Sequence, residues 1–148
     1  SDVYKRQALY RFLFPMKPEN TAFSLFLLAL RLLIGSLFLM HGFQKLMNYG
    51  MLSGTFPDPL GVGTELSLLM AIFGELACSV AFIFGFLYRL SLLPMIFTMC
   101  IACFVIHGND PFAAKELAFV YLSIFVLMYI AGPGKYSLDQ WIGKRTKH

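Results

Sequence analysis

Charge is scarce in this sequence. Asp, Glu, Lys and Arg make up 14% of the 148 residues, against ~25% in a soluble globular domain. That shortage argues against a highly solvated surface, a disordered chain and a nucleic-acid-binding domain. Cysteine is scarce as well. Cys78, Cys100 and Cys103 all lie inside apolar stretches, so they do not form the framework of a disulfide-stapled secreted domain. No haem, flavin or iron–sulfur signature is present, which leaves any electron transfer to a bound quinone or another subunit. No H-x-x-E-H spacing is present either, and no metal site is expected.

What fills the chain is apolar: 58% of residues are hydrophobic and the mean hydropathy is +0.70. Lipid is therefore its main solvent. Windows of ~20 residues, enough to cross a ~30 Å hydrocarbon core as a helix, mark four spans: Thr21 to Phe43, Thr64 to Tyr88, Leu90 to Ile106 and Phe112 to Ala131. Pro57, Pro59, Gly61 and Gly63 separate the first two, Gly108 and Pro111 precede the fourth, and Gly132, Pro133 and Gly134 end it,. A turn at Arg89 makes the second and third an antiparallel hairpin. Pro94 lies inside the third, where a membrane helix tolerates a kink. Ser137 and Gln140 resemble a capping box with Trp141 and Ile142 behind it, the pattern of a short interfacial helix. The expected fold is all-α: an up-down-up-down four-helix transmembrane bundle with a short interfacial C-terminal helix.

Three segments follow: an N-terminal stretch over 1–20, a membrane domain over 21–142 and a basic tail over 143–148. Ser1 to Gln7 shows no apolar periodicity and reads as a truncation or assembly scar. Pro15, Lys17, Pro18 and Glu19 before the first apolar run speak against a cleavable signal peptide. Lys5, Arg6, Arg11, Lys17, Arg89, Lys135, Lys144, Arg145 and Lys147 fall on one side of the membrane, against Lys45 and Lys115 on the other. This nine-to-two asymmetry predicts that both termini are cytoplasmic; without Lys5 and Arg6 it is still seven to two.

Ionisable groups at membrane depth cost ~2.5–3.5 kcal/mol each on insertion scales and mark a site, a pathway or a buried partner. Arg31 lies ten residues before His41, where the first span nears the outer surface, and Glu75 eleven after Thr64, so at ~1.5 Å per residue both lie about 15 Å deep on adjacent antiparallel helices and are expected to pair,. Such a pair either fixes helix register or forms a polar centre. A carboxylate held by a guanidinium is a poor proton carrier. A second cluster is expected at the outer face: His41, Gln44 and Lys45 from the first span, with His107, Asn109, Asp110, Lys115 and Glu116 around the third and fourth. His41-Gly42 and His107-Gly108 each close an outward-running span on this reading, as a two-helix unit used twice would,. Each histidine is either an interfacial helix terminus or a group that exchanges protons with, or hydrogen-bonds to, a small polar headgroup. Cys100-Ile-Ala-Cys103 has redox-pair spacing, but a position inside an apolar span favours small-residue packing.

The strings Leu30-Arg31-Leu32-Leu33-Ile34-Gly35, Phe38-Leu39-Met40-His41-Gly42-Phe43-Gln44-Lys45-Leu46 and Phe56-Pro57-Asp58-Pro59-Leu60-Gly61 carry a family resemblance. So do Glu75, His107-Gly108-Asn109-Asp110-Pro111-Phe112, Lys115-Glu116-Leu117 and Gly132-Pro133-Gly134-Lys135-Tyr136-Ser137-Leu138-Asp139. Over roughly residues 25 to 142 the chain resembles the DoxX family of small bacterial membrane proteins. The resemblance implies a multi-pass inner (plasma) membrane protein, similar to a subunit of thiosulfate:quinone oxidoreductase.

On this reading the chain is a redox-associated subunit with a polar cavity opening outward, for a quinone or a small sulfur-containing anion. Glu75, His107 and His41 are the candidate catalytic groups. Arg31, Gln44, Lys45, Asp110, Lys115 and Glu116 are the candidate binding groups. Its partners would be the bilayer and a redox subunit or soluble enzyme, with no nucleic acid. The alternative is a non-catalytic scaffold that docks a soluble partner, the same residues serving as interhelix glue. A transporter is disfavoured by the absence of broken helices.

Overall fold

The computed structural model describes residues 1–14 and 20–146. Pro15, Lys17, Pro18, Glu19 and Lys147, used above, lie outside the described residues. The described chain forms α1 (Asp2–Leu13), α2 (Thr21–Met47), α3 (Tyr49–Leu52), α4 (Thr64–Phe84), α5 (Tyr88–Ile106), α6 (Phe112–Ala131) and α7 (Leu138–Arg145), with no strand among the described residues. α2, α4, α5 and α6 are long and apolar enough to cross a membrane, and the chain is an all-α, four-span membrane protein. The stretch without apolar periodicity, Ser1 to Gln7, supplies the N-cap and first half of α1, a helix with no buried residue.

Local sequence explains the helix ends. The Asn20 side chain caps α2 by accepting from the Phe23 amide at 3.2 Å,. α2 then runs past the expected end at Phe43, because Gln44, Lys45, Leu46 and Met47 are all good helix formers. It stops at Asn48, whose side chain returns to the Gln44 carbonyl at 2.8 Å. The turn between α4 and α5 falls at Gly85 and Leu87, both with positive φ (66° and 46°), so Arg89 lies in the first turn of α5 and not in the connection. α5 continues through Pro94, and the Thr98 hydroxyl donates to the Pro94 carbonyl at 2.7 Å. Ser137 caps α7 by accepting from the Gln140 amide at 3.2 Å, as the capping pattern predicts.

Two glycines of α2 fix its register on α4. A Cβ at Gly42 would lie 2.7 Å from the backbone of Glu75 and Leu76, and one at Gly35 would meet Phe82 and Ile83. Backbone therefore packs on backbone, as small residues allow in membrane bundles. Around this contact Phe38, Phe82, Tyr88, Leu92, Met95 and Phe125 form a buried core, with Phe38 edge-on to Phe125 (centroids 4.9 Å apart). Both α4 and α5 widen into π-helical turns, at Phe73–Ala77 and Ile101–Ile106, a deviation often found at functional positions.

One end of the bundle holds the start of α2 and α5, the end of α4 and α6, and all of α7. It is called here the terminal end, and the opposite one the loop end.

Candidate functional site

α4 and α5 diverge enough to leave a groove of about 950 Å³ between them. Its lining runs from Leu87 and Leu90 at the terminal end to Ile106 and His107 at the loop end, where Phe56, Pro57, Pro59 and Leu60 close over it. Twenty residues of helix separate Leu87 from His107, or ~30 Å, the thickness of a hydrocarbon core. Phe73, Leu90, Leu93 and Phe97 line it and are themselves exposed. The groove thus opens along the flank of the bundle, where lipid lies, and not straight outward as the sequence suggested. Most of the lining is apolar; Lys45, Glu75 and His107 are its charged or imidazole groups.

Lys45 and Glu75 form an ion pair at 2.8 Å, with the Glu75 side chain 5% exposed and that of Lys45 26%. The expected Arg31–Glu75 pair does not form. The depth count placed the loop-side end of the first span at His41, whereas α2 continues to Met47 and Gly42 abuts Glu75. Arg31, eleven residues back from Gly42, therefore sits ~16 Å along the axis from Glu75. Lys45, one turn beyond Gly42, is within reach. The π-turn that contains Glu75 and the side-chain-free contact at Gly42 together bring the carboxylate under that ammonium.

At the loop end the His107 Nδ1 and Asp110 Oδ2 atoms are 2.9 Å apart, and the Lys115 ammonium donates to the Gly108 carbonyl at 3.1 Å. The capping loop is held by Asp58, whose carboxylate accepts from the Val62 and Gly63 amides and the Ser67 hydroxyl at 2.8–2.9 Å. The Ser67 hydroxyl and the Gly63 amide hold the Asp58 carboxyl below its ordinary value of 3.8,. Thr64 adds a bond to the Ser53 carbonyl at 2.7 Å.

Arg31 belongs to a separate centre at the terminal end. Buried to 2% exposure, it donates to the Pro133 carbonyl at 2.9 Å and the Tyr136 carbonyl at 2.7 Å. Asp139, fully buried on α7, accepts from the Leu87 and Tyr88 amides at 2.6 and 2.8 Å and so caps α5. Its carboxyl lies above its ordinary value because burial outweighs those bonds and the nearby Arg31 and Arg89,. Tyr88 donates to the Met128 carbonyl at 2.9 Å, closing the knot.

The nine candidate residues thus divide. Lys45, Glu75 and His107 share the groove, and Asp110 adjoins it through His107. Arg31 lies at the other end. His41 is half-buried on α2, edge-on to Tyr121 with centroids 5.9 Å apart. Gln44 and Glu116 are exposed on α2 and α6, and Lys115 ties down the end of α5. The apparent repeat of His-Gly does not hold, since His41-Gly42 is mid-helix while His107-Gly108 ends α5. Cys100 and Cys103 are free thiols, the first just before the second π-turn and the second within it. Sequence reasoning missed Cys78, which lines the groove one turn after Glu75, and the roles of Asp58 and Asp139. For Asp58 the cue was present: an Asp followed by Gly61 and Gly63 is a loop-closing pattern.

Residues 26–108 match the DoxX family profile, a region that includes Lys45, Glu75, His107 and all of the groove lining. The chain is also similar to the inner membrane protein YqjF of Escherichia coli (strain K12), with 32% identity over 125 residues that cover 80% of this chain and 92% of that protein. No solved structure matches it. With the profile spanning more than half of its length and a relative aligned over most of both sequences, the chain belongs to the DoxX family.

Proposed function

We propose that this protein is a redox-associated membrane subunit that binds an isoprenoid quinone in the α4–α5 groove. The observation that carries the reading is the union of an apolar, membrane-long groove with a Lys45–Glu75 ion pair partway along it and the His107 imidazole at its loop end. The tail lies against Leu90, Leu93 and Phe97, where burial of apolar surface stabilises it by about 25 cal/mol per Å². The headgroup lies between the Lys45–Glu75 pair and His107, which stands about ten residues of α5 nearer the loop end,. Lys45 supplies a hydrogen-bond donor for a quinone oxygen, and His107, oriented by Asp110, supplies the proton-exchanging group, since imidazole is the side chain suited to proton transfer near neutral pH. The electrons come from a partner subunit or soluble enzyme.

The protein resides in the inner membrane with both termini in the cytoplasm. The name of the YqjF relative supports the first point. The clustering of basic residues near the chain ends supports the second. Arg31 is a structural group and not part of the binding site.

The test is quinone binding by purified protein. A short-chain ubiquinone or menaquinone analogue should raise the melting temperature and protect Cys78 from an apolar maleimide. Glu75→Gln and His107→Ala should lose the shift while retaining wild-type helicity. A shift unchanged in both variants rejects the site.

A scaffold reading draws on the same Lys45–Glu75 pair, which bridges α2 and α4. It predicts that Glu75→Gln lowers stability without altering any quinone response, and that membranes yield a stoichiometric partner.

A further inference from the structure

The terminal end carries a surface that the groove chemistry does not use. α7 rests on the bundle by its Asp139, Gln140 and Gly143 side, which is buried, and turns its other side outward. Leu138, Trp141 and Arg145 recur at helical spacing on that outer side, with Leu138 42% and Trp141 55% exposed. The Arg145 guanidinium stands 4.8 Å from the centroid of the Trp141 ring. Lys144 is exposed beside it. An exposed indole on an apolar base, flanked by cations, matches the boundary layer of a bilayer, where the ring sits at headgroup level and the cations meet phosphodiesters.

The surrounding charge points to one lipid class. Lys5, Arg6, Arg11 and Lys135 also lie outside the spans near this end, whereas Asp139 faces inward and is buried. The remaining carboxylate there among the described residues is Asp2. Zwitterionic lipids offer a phosphate already compensated by their own ammonium. Acidic lipids offer uncompensated charge, and each Lys or Arg near a membrane surface favours such lipid about fivefold.

We infer that the outer face of α7 is a binding surface for acidic phospholipids, with Trp141 seated at the acyl–headgroup boundary and Lys144 and Arg145 paired with the headgroup charge. The inference is independent of any ligand in the groove.

Trp141 is the single tryptophan of the chain, so its fluorescence reports this face alone. The full chain is reconstituted in vesicles of phosphatidylcholine and phosphatidylglycerol, with bromine on the acyl chains of one lipid or the other. Both leaflets have the same composition, so mixed insertion does not blur the result. Brominated phosphatidylglycerol should quench Trp141 beyond its mole fraction. The preference should fall about fivefold for each of Lys144→Gln and Arg145→Gln, and fall further in high salt. Both side chains are exposed, and unchanged circular dichroism confirms that the variants fold. Equal quenching by the two brominated lipids, quenching by neither, or a preference untouched in the double variant overturns the inference.

Discussion

The two ends of this bundle use their polar groups in opposite ways. At the terminal end Arg31 and Asp139 are buried and their partners are mostly backbone: two carbonyls for the guanidinium, two amides for the carboxylate. Such bonds close off donors and acceptors that lipid could not satisfy. From mid-span to the loop end the polar atoms are side chains paired with side chains, Lys45 with Glu75 and His107 with Asp110, and Lys45, Glu75 and His107 border open volume. A charge held by backbone has little freedom to respond to a ligand. A charge held by another side chain on the rim of a groove can exchange that partner. The same residue types thus serve as masonry at the terminal end and as an exchangeable rim along the groove, and the distinction lies in the partner.

This contrast predicts a ranking. Arg31→Ala should give the largest loss, about 3 kcal/mol, because it removes two charge-assisted bonds and strands the Pro133 and Tyr136 carbonyls in a buried setting. Asp139→Ala should follow at about 2 kcal/mol through loss of the α5 cap. Thermal unfolding in detergent reads both, and melting curves that overlay the wild type would erase the contrast. Gly42→Ala comes next, at about 1–3 kcal/mol, since its methyl would press on the Glu75 and Leu76 backbone,; the same measurement should show it as less stable than an Ala substitution at the exposed Gly50.

Glu75→Gln should cost under about 1 kcal/mol of stability, because Lys45 is partly exposed and can turn toward water. Its effect on quinone affinity should be about tenfold, and titration calorimetry separates the two. A stability loss as large as that of Arg31→Ala would make both ends structural.

The smallest effect is set by pH. The Asp58 carboxyl is lower in the fold than in the unfolded chain, so its stabilisation is full above the unfolded value and is lost as pH falls through the folded one. Asp139 is shifted up, and its burden is relieved as pH falls. The melting-temperature gap between wild type and Asp58→Asn should therefore narrow on acidification, while the wild type gains on Asp139→Asn. Gaps that move together contradict the assignment.

Much of this was legible before any coordinates. Apolar run length located all four spans, and Ser137 announced the α7 cap, because both signals are local. Charge or imidazole within or at the ends of apolar spans had already singled out Lys45, Glu75 and His107 among the nine candidates. Partnership was not legible, since it depends on how far α2 extends and where it touches α4. A four-residue extension beyond Phe43 replaced Arg31 with Lys45 as the partner of Glu75. The groove itself was invisible to periodicity, because lipid-facing and ligand-facing apolar residues look alike in a sequence. Asp139 escaped notice because its partners, the amides of Leu87 and Tyr88, are about fifty positions away.

The contact at Gly42 also decides which wall of the groove can act as a door. α4 is pinned there to α2 with no side chain between them to yield, so widening must come from α5. The start of α5 is bolted by Asp139, which makes that point the hinge. The swing is then greatest at His107, where the tether that would have to give is the Lys115 bond to the Gly108 carbonyl.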